Sequence, residues 1–160
     1  IDSKFSFYTK EDKKFRFLRN SRLTKIEFKN IVIKFISTKG ADYKKIAKKI
    51  WMNKKQIKSL ATDGHQIGLH SHSHPYSMKD FNYEIQLDEY FRNFQILNNI
   101  SGIECSSVAY PLGSFNQDTL KVMKKLKIKL GFRSSSSSIN NNKYDINSSL
   151  LLPRIDSAFI

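Results

Sequence analysis

All four histidines of this 160-residue chain fall within ten residues, in Gly64-His65-Gln66-Ile67-Gly68-Leu69-His70-Ser71-His72-Ser73-His74-Pro75. Neutral imidazole is the commonest protein ligand for a borderline divalent ion such as zinc. A cluster this dense, opened by Asp63-Gly64 and closed by Pro75, fits surface decoration poorly. Ile67-Gly68-Leu69 reads as a short buried strand. His70 then sits where a strand ends and a loop begins, the usual place for chemistry in α/β folds.

His70-Ser71-His72-Ser73-His74-Pro75 resembles the second motif of the NodB-type polysaccharide deacetylases, a His-Ser/Thr-x-x-His-Pro element. The lead-in from Trp51 to Gly68 is similar to the family's helix that ends at Asp-Gly before the motif strand. Ala109-Tyr110-Pro111-Leu112-Gly113-Ser114 resembles the third motif, usually Pro-Tyr-Gly or Pro-Phe-Gly. Leu152-Pro153-Arg154-Ile155-Asp156 resembles a Pro-Arg-Ile-Asp segment near the end of the domain. Three matches in order, over roughly residues 51 to 156, make the resemblance specific.

The resemblance implies that His70 and His74 bind a divalent metal, zinc first and cobalt or nickel next. Two imidazoles four residues apart, on a strand end and its loop, can converge on one ion and leave positions for a carboxylate, water and substrate. Ser71 is expected to hold the loop backbone, and His65 and His72 to make supporting or packing contacts, with His72 also the alternative ligand. The resemblance also implies that the Leu112 backbone N–H points at the oxyanion of a tetrahedral intermediate, with Tyr110 and Pro111 shaping the substrate side. Losing such a donor costs roughly 10²–10³ in rate; the competing reading is a plain turn. Arg154 is implied to orient an aspartate base, against the alternative of a salt bridge with Asp156.

The departures are as informative. Nothing between Ile1 and Trp51 resembles the family's first motif, Thr-Phe-Asp-Asp-Gly, which supplies the base and a third ligand. No histidine follows His74 to serve as the late general acid. Ala109 stands where many members carry Arg, and Leu112 where they carry an aromatic. Because the chain starts with Ile, the expectation is a C-terminal portion of a deacetylase whose first motif lies upstream.

The net charge of +14 is unevenly spread. Residues 1–58 carry 18 Lys and Arg against 5 acids, and residues 59–160 carry 10 against 9. The basic segment suits an anionic membrane surface or an acidic glycan. Lys outnumbers Arg 22 to 6, which argues against specific nucleic-acid binding, where bidentate arginine contacts lead. No run of eighteen apolar residues is present. The lone Cys105 excludes internal disulfides and reads as structural.

Residues 1–20 show no period and read as irregular. Thr24-x-x-Glu27 has capping-box form and opens a helix with Phe28, Val32, Phe35 and Ile36 on one face, closed by Gly40. Asp42 caps a second helix carrying Tyr43, Ile46, Ala47, Ile50 and Trp51. A third starts at Asn53 and ends at Gly64. Later elements are a long helix over about 79–99 with Leu87, Tyr90, Phe91 and Phe94 inward, a strand at 106–110 and a helix capped by Asn116. A strand at 128–132, a polar loop at 134–142 and a last strand at 150–152 follow. This alternation predicts an α/β fold with parallel strands and outer helices. It suits part of the distorted (β/α)7-type barrel that the resemblance implies.

Two domains are expected: a basic, mainly helical insertion over residues 1–50, and an incomplete catalytic domain over 51–160. The implied activity is metal-dependent hydrolytic deacetylation of an acetylated sugar in a polysaccharide or surface-glycan precursor. The alternative is a non-catalytic, deacetylase-like module that grips glycan or anionic partners. A zinc phosphoesterase would need more Asp near the histidines.

Overall fold

The computed structural model describes residues 8–134 and 148–155, the Lys25 side chain apart. The chain divides into two compact units, Ile1–Met52 and Asn53–Ile160. Among the described residues, no helix is long and apolar enough to cross a membrane.

The first unit holds three helices, α1 (Lys10–Ser21), α2 (Lys25–Thr38) and α3 (Tyr43–Ile50). Side chains satisfy the orphan N–H groups at each start. Thr9 and Asp12 form a capping box on α1, Thr24 and Glu27 form one on α2, and Asp42 accepts from Lys44 and Lys45 N–H on α3. The Thr24 N–H and hydroxyl hold the Glu27 carboxyl below its ordinary pKa. Phe15 of α1 meets Phe28 of α2 with ring centroids 5.4 Å apart. Helix α1 corrects the expectation of irregular structure from Lys10 onward, and residues 1–7 lie outside the described residues. Its box uses Asp in place of the usual Glu or Gln, and mixed aromatic and charged residues blur the helical period.

The second unit is built on parallel pairing. Helix α4 (Lys54–Thr62) is opened by an Asn53–Gln56 capping box and turns at Gly64. Leu69 then bridges Val108 of β1 (Ser107–Ala109). Strand β1 pairs β2 (Leu130–Phe132) in parallel, with Val108 opposite Gly131, and Phe132 bridges Leu152. The four segments thus lie side by side in chain order, as successive units of a (β/α) barrel wall do. Helix α5 (Tyr83–Ser101) connects the first pair and α6 (Gln117–Lys125) the second.

The pairings are shorter than expected. The 67–69 strand is a single bridge at Leu69, and residues 150–152 form a 3₁₀ turn over Ser149–Leu151 with only Leu152 bridged. Most of the expected 134–142 loop lies outside the described residues.

The core gathers Leu69, Val108 and Tyr110 from the sheet, Tyr90 from α5, and Val122 and Met123 from α6. Leu87 and Phe94 pack against it. Phe91 does not: it is 44% exposed, one step off the buried face, which Gln86 completes instead. The Gln86 amide donates to Phe81 O (2.7 Å) and Asn116 Oδ1 (3.1 Å), and its oxygen accepts from Thr119 Oγ1 (2.5 Å). This buried polar group ties α5 to the cap of α6. Gly131 is required by close approach, because a Cβ there would strike the Leu150 carbonyl and the Tyr110 hydroxyl.

Burial pushes the phenols of Tyr90 and Tyr110 well above their ordinary value near 10, and Tyr110 and Glu89 nearby add to the effect on Tyr90. A raised folded-state pKa means that the stabilisation is complete below about pH 10 and declines as pH rises further. Each tyrosine contributes a slope of up to about 1.4 kcal/mol per pH unit. Urea unfolding between pH 8 and 11.5 is expected to show this loss beginning near pH 10, and Tyr90→Phe is expected to halve the slope. The Tyr90 hydroxyl has no hydrogen-bond partner among the described residues, so the same variant should lose no stability at pH 7. An unchanged alkaline slope in Tyr90→Phe would contradict this reading.

Candidate metal centre

The carboxyl ends of the four parallel segments carry His70, the Tyr110–Gly113 turn, Arg133 and, one residue beyond Pro153, Arg154. Ligands and catalysis gather at this edge of parallel sheets because loops there converge while the strands stay rigid.

His70 is fixed through its ring. Its Nδ1 lies 2.6 Å from the Ala109 carbonyl oxygen, on the neighbouring strand. A carbonyl only accepts, so Nδ1 carries the hydrogen and the neutral ring keeps its lone pair on Nε2. The His74 ring lies edge-on to it, with centroids 4.9 Å apart. Both residues are exposed.

The loop between them makes a tight reversal. Ser71 (φ 61°) and His74 (φ 50°) are left-handed, a conformation that costs non-glycine residues roughly 1–2 kcal/mol. The buried Ser71 offsets this by accepting the His74 N–H on Oγ at 3.1 Å. Backbone groups of His70, His72 and Ser73 are hydrogen-bonded to side chains of α5. His65 sits apart in the α4 C-terminal cap, its N–H bonded to Leu60 O.

The other residues singled out from sequence divide by exposure. Tyr110 and Pro111 are fully buried. The Tyr110 hydroxyl donates to Leu150 O at 2.8 Å, so this side chain braces the turn from beneath. What the turn presents is Leu112, 56% exposed and left-handed (φ 53°, ψ 18°). Arg154 is exposed, and its Nε donates to Arg133 O at 2.6 Å, joining adjacent strand ends. Asp156, its partner in the alternative salt-bridge reading, lies outside the described residues.

Two imidazoles side by side, one with its Nδ1 bonded to a backbone carbonyl, suit a divalent ion as two of the three protein ligands that such sites use. Among the described residues, no group of three His, Cys, Asp or Glu side chains is placed to hold an ion. Sequence reasoning missed Glu89 and Asn93, the α5 residues that hold the loop. Their only signal was polar residues at i,i+4 spacing on a helix that follows the motif.

A family model described as polysaccharide deacetylase matches residues 35–131. The structure is similar to the Streptococcus pyogenes deacetylase PplD in complex with acetate, with a TM-score of 0.58 and 21% identity, over 92% of this chain and 72% of that one. It is also similar to the BpsB deacetylase domain from Bordetella bronchiseptica, with a TM-score of 0.54 and 14% identity, over 65% of this chain and 48% of that one. At these identities the likeness is one of fold: both neighbours are deacetylases, and the parallel strands and outer helices are shared. The chain spans less than half the length of the second. No curated protein matches the sequence.

Gly113, after Leu112, has φ 67°, and a Cβ there would collide with the Ser134 side chain. Gly113→Ala is therefore expected to cost about 1–3 kcal/mol in urea unfolding. Wild-type stability in that variant would mean that the turn is not held as described.

Proposed function

Because the chain belongs to the polysaccharide deacetylase family, we propose that it takes part in metal-dependent hydrolytic deacetylation of an acetylated sugar in a polysaccharide or surface-glycan precursor. One observation carries the metal part of this reading. His70 and His74 lie ring to ring at a strand end, and His70 is locked in the tautomer that offers Nε2.

In this reading His70 and His74 hold a divalent ion, zinc first, with cobalt or nickel as alternatives. Bound there, such an ion supplies Lewis acidity and lowers the pKa of a water molecule to about 7. The chain's own groups do the positioning. The Leu112 backbone N–H, on an exposed turn beside the strand end, serves as the donor toward the developing oxyanion. A backbone donor tolerates the loss of the aromatic that relatives carry. Tyr110 and Pro111 act from below, keeping that turn in place under the substrate. Arg154 braces the adjacent strand end. Residues 51–160 form the catalytic portion, and residues 1–50 a basic helical insertion. The excess charge of residues 1–58 suits an anionic membrane surface or an acidic glycan.

A second reading, a deacetylase-like module that binds glycan or anions without turning them over, draws support from the two-ligand count among the described residues. Elemental analysis for zinc, cobalt and nickel, beside acetate release from N-acetylated sugar oligomers, separates the two. The expected result is about one ion per chain, with metal and acetate release both lost in His70→Ala and His74→Ala. Full acetate release in either variant would sink the assignment. Glycan binding with no acetate release in the metal-loaded wild type would select the module.

A further inference from the structure

We propose that Glu89 and Asn93 of α5 are positioning residues for the histidine pair, acting as a clamp on the backbone of the 70–74 loop. The proposal rests on the reading of His70 and His74 as metal ligands. Glu89 and Asn93 are four residues apart and so lie on one face of α5. Asn93 Oδ1 accepts the His70 N–H at 3.0 Å. Glu89 Oε2 accepts the N–H groups of His72 (3.2 Å) and Ser73 (2.9 Å), and its Oε1 accepts the Ser73 hydroxyl at 2.7 Å.

The backbone of the loop is held largely by side chains. Its sheet pairing ends at the single bridge of Leu69. Beyond that point, the N–H groups of His70, His72, Ser73 and His74 all go to side-chain oxygens, three of them on α5 and the fourth to Ser71. Where the His74 ring lies relative to His70 therefore depends on where α5 places its two oxygen-bearing side chains.

A carboxylate suits position 89. An ionised carboxylate is acceptor-only, with lone pairs enough for all three donors, and such charge-assisted bonds are the stronger kind. Glutamine of the same shape can accept both N–H groups on its one oxygen and donate its amide to the Ser73 hydroxyl, so it loses only the charge assistance; leucine removes all three bonds. Glu89, an acid bonded to the histidine loop itself, reads at first as a third metal ligand. Both its oxygens are committed to loop donors, which assigns it to positioning instead.

Four variants test this: Glu89→Leu and Asn93→Leu, which remove the acceptors, and the conservative Glu89→Gln and Asn93→Asp, which keep them. The readouts are Co²⁺ affinity by calorimetry and residue-resolved amide hydrogen exchange of the full chain. Glu89→Leu is expected to weaken Co²⁺ binding about 10–100-fold, the usual effect of losing a group that orients ligands. Faster exchange should be confined to residues 70–74, with the α5 and α6 amides unchanged. Asn93→Leu should behave likewise, and Glu89→Gln and Asn93→Asp should recover most of the affinity. If Glu89→Leu unfolds the chain, Asn93→Leu carries the same test. Wild-type affinity and loop exchange in the leucine variants would overturn the proposal. If the wild type binds no Co²⁺, the metal reading fails by itself. Loop exchange then decides the clamp: faster in the leucine variants supports it, and unchanged overturns it.

Discussion

The site depends on one bond that crosses between strands, from the His70 imidazole to the Ala109 carbonyl. It exists only because Leu69 pairs with Val108 in parallel, which brings the residue after each into register at the same edge. Leu69 N–H donates to Ser107 O and Leu69 O accepts from Ala109 N–H, at 2.8 and 2.9 Å. A slip of one residue would turn every side chain to the opposite face. The ring would then lose both its tautomer and its direction. The buried side chains of Leu69 and Val108 hold that register, so the geometry at the edge rests on apolar packing one residue inside it.

The second constraint is the placement of α5. Parallel strands cannot be joined by a short turn, so a crossover helix follows the histidine loop by necessity. Here the helix does more than cross. Its inner face, with Tyr90 and Gln86, joins the core and the α6 cap, and its side toward the loop carries Glu89 and Asn93. Because Gln86 is bonded to Phe81 O, Asn116 and Thr119, the helix cannot rotate without breaking buried hydrogen bonds, each costly to leave unmade. The rigidity of that network is what lets polar groups about one and two turns further along act as fixed points for a loop.

Local rules made much of this legible in the amino-acid sequence. The caps at Thr24, Asp42, Asn53 and Asn116 are nearest-neighbour chemistry, and each opens the helix it predicts. The parallel α/β order followed from alternation of elements, and the family from three short motifs. What sequence could not reveal depended on distant partners. Glu89 and Asn93 matter only because α5 lies against the loop, and no spacing rule links position 73 to position 89. Tyr110 looked like a substrate-side aromatic from its motif. Its burial, and its bond to a carbonyl forty residues away, are tertiary facts. The strands were overestimated because apolar runs such as Leu150-Leu151-Leu152 read as extended, whereas the chain turns there and pairs through one residue.

Backbone strain shows where the fold has been bent to a purpose. Four non-glycine residues among those described have positive φ: Ser71, His74, Leu112 and Lys127. Three of the four lie in the two loops at the strand edge, and Lys127 closes α6 elsewhere. Each left-handed residue costs roughly 1–2 kcal/mol, an appreciable share of a stability of 5–15 kcal/mol. Such strain persists only where the surroundings over-determine it. Both loops meet that condition by different means. Side-chain oxygens from Ser71, Glu89 and Asn93 capture the histidine loop. The Leu112 turn is set over the buried Tyr110 and Pro111 and closed by bonds from Gly113 N–H and Ser114 N–H. The histidine reversal brings two rings together, and the Leu112 turn sets a backbone corner in solvent beside them. Neither shape would form from local preference, so the hydrogen bonds and buried rings beneath them are spent on the site's geometry more than on stability.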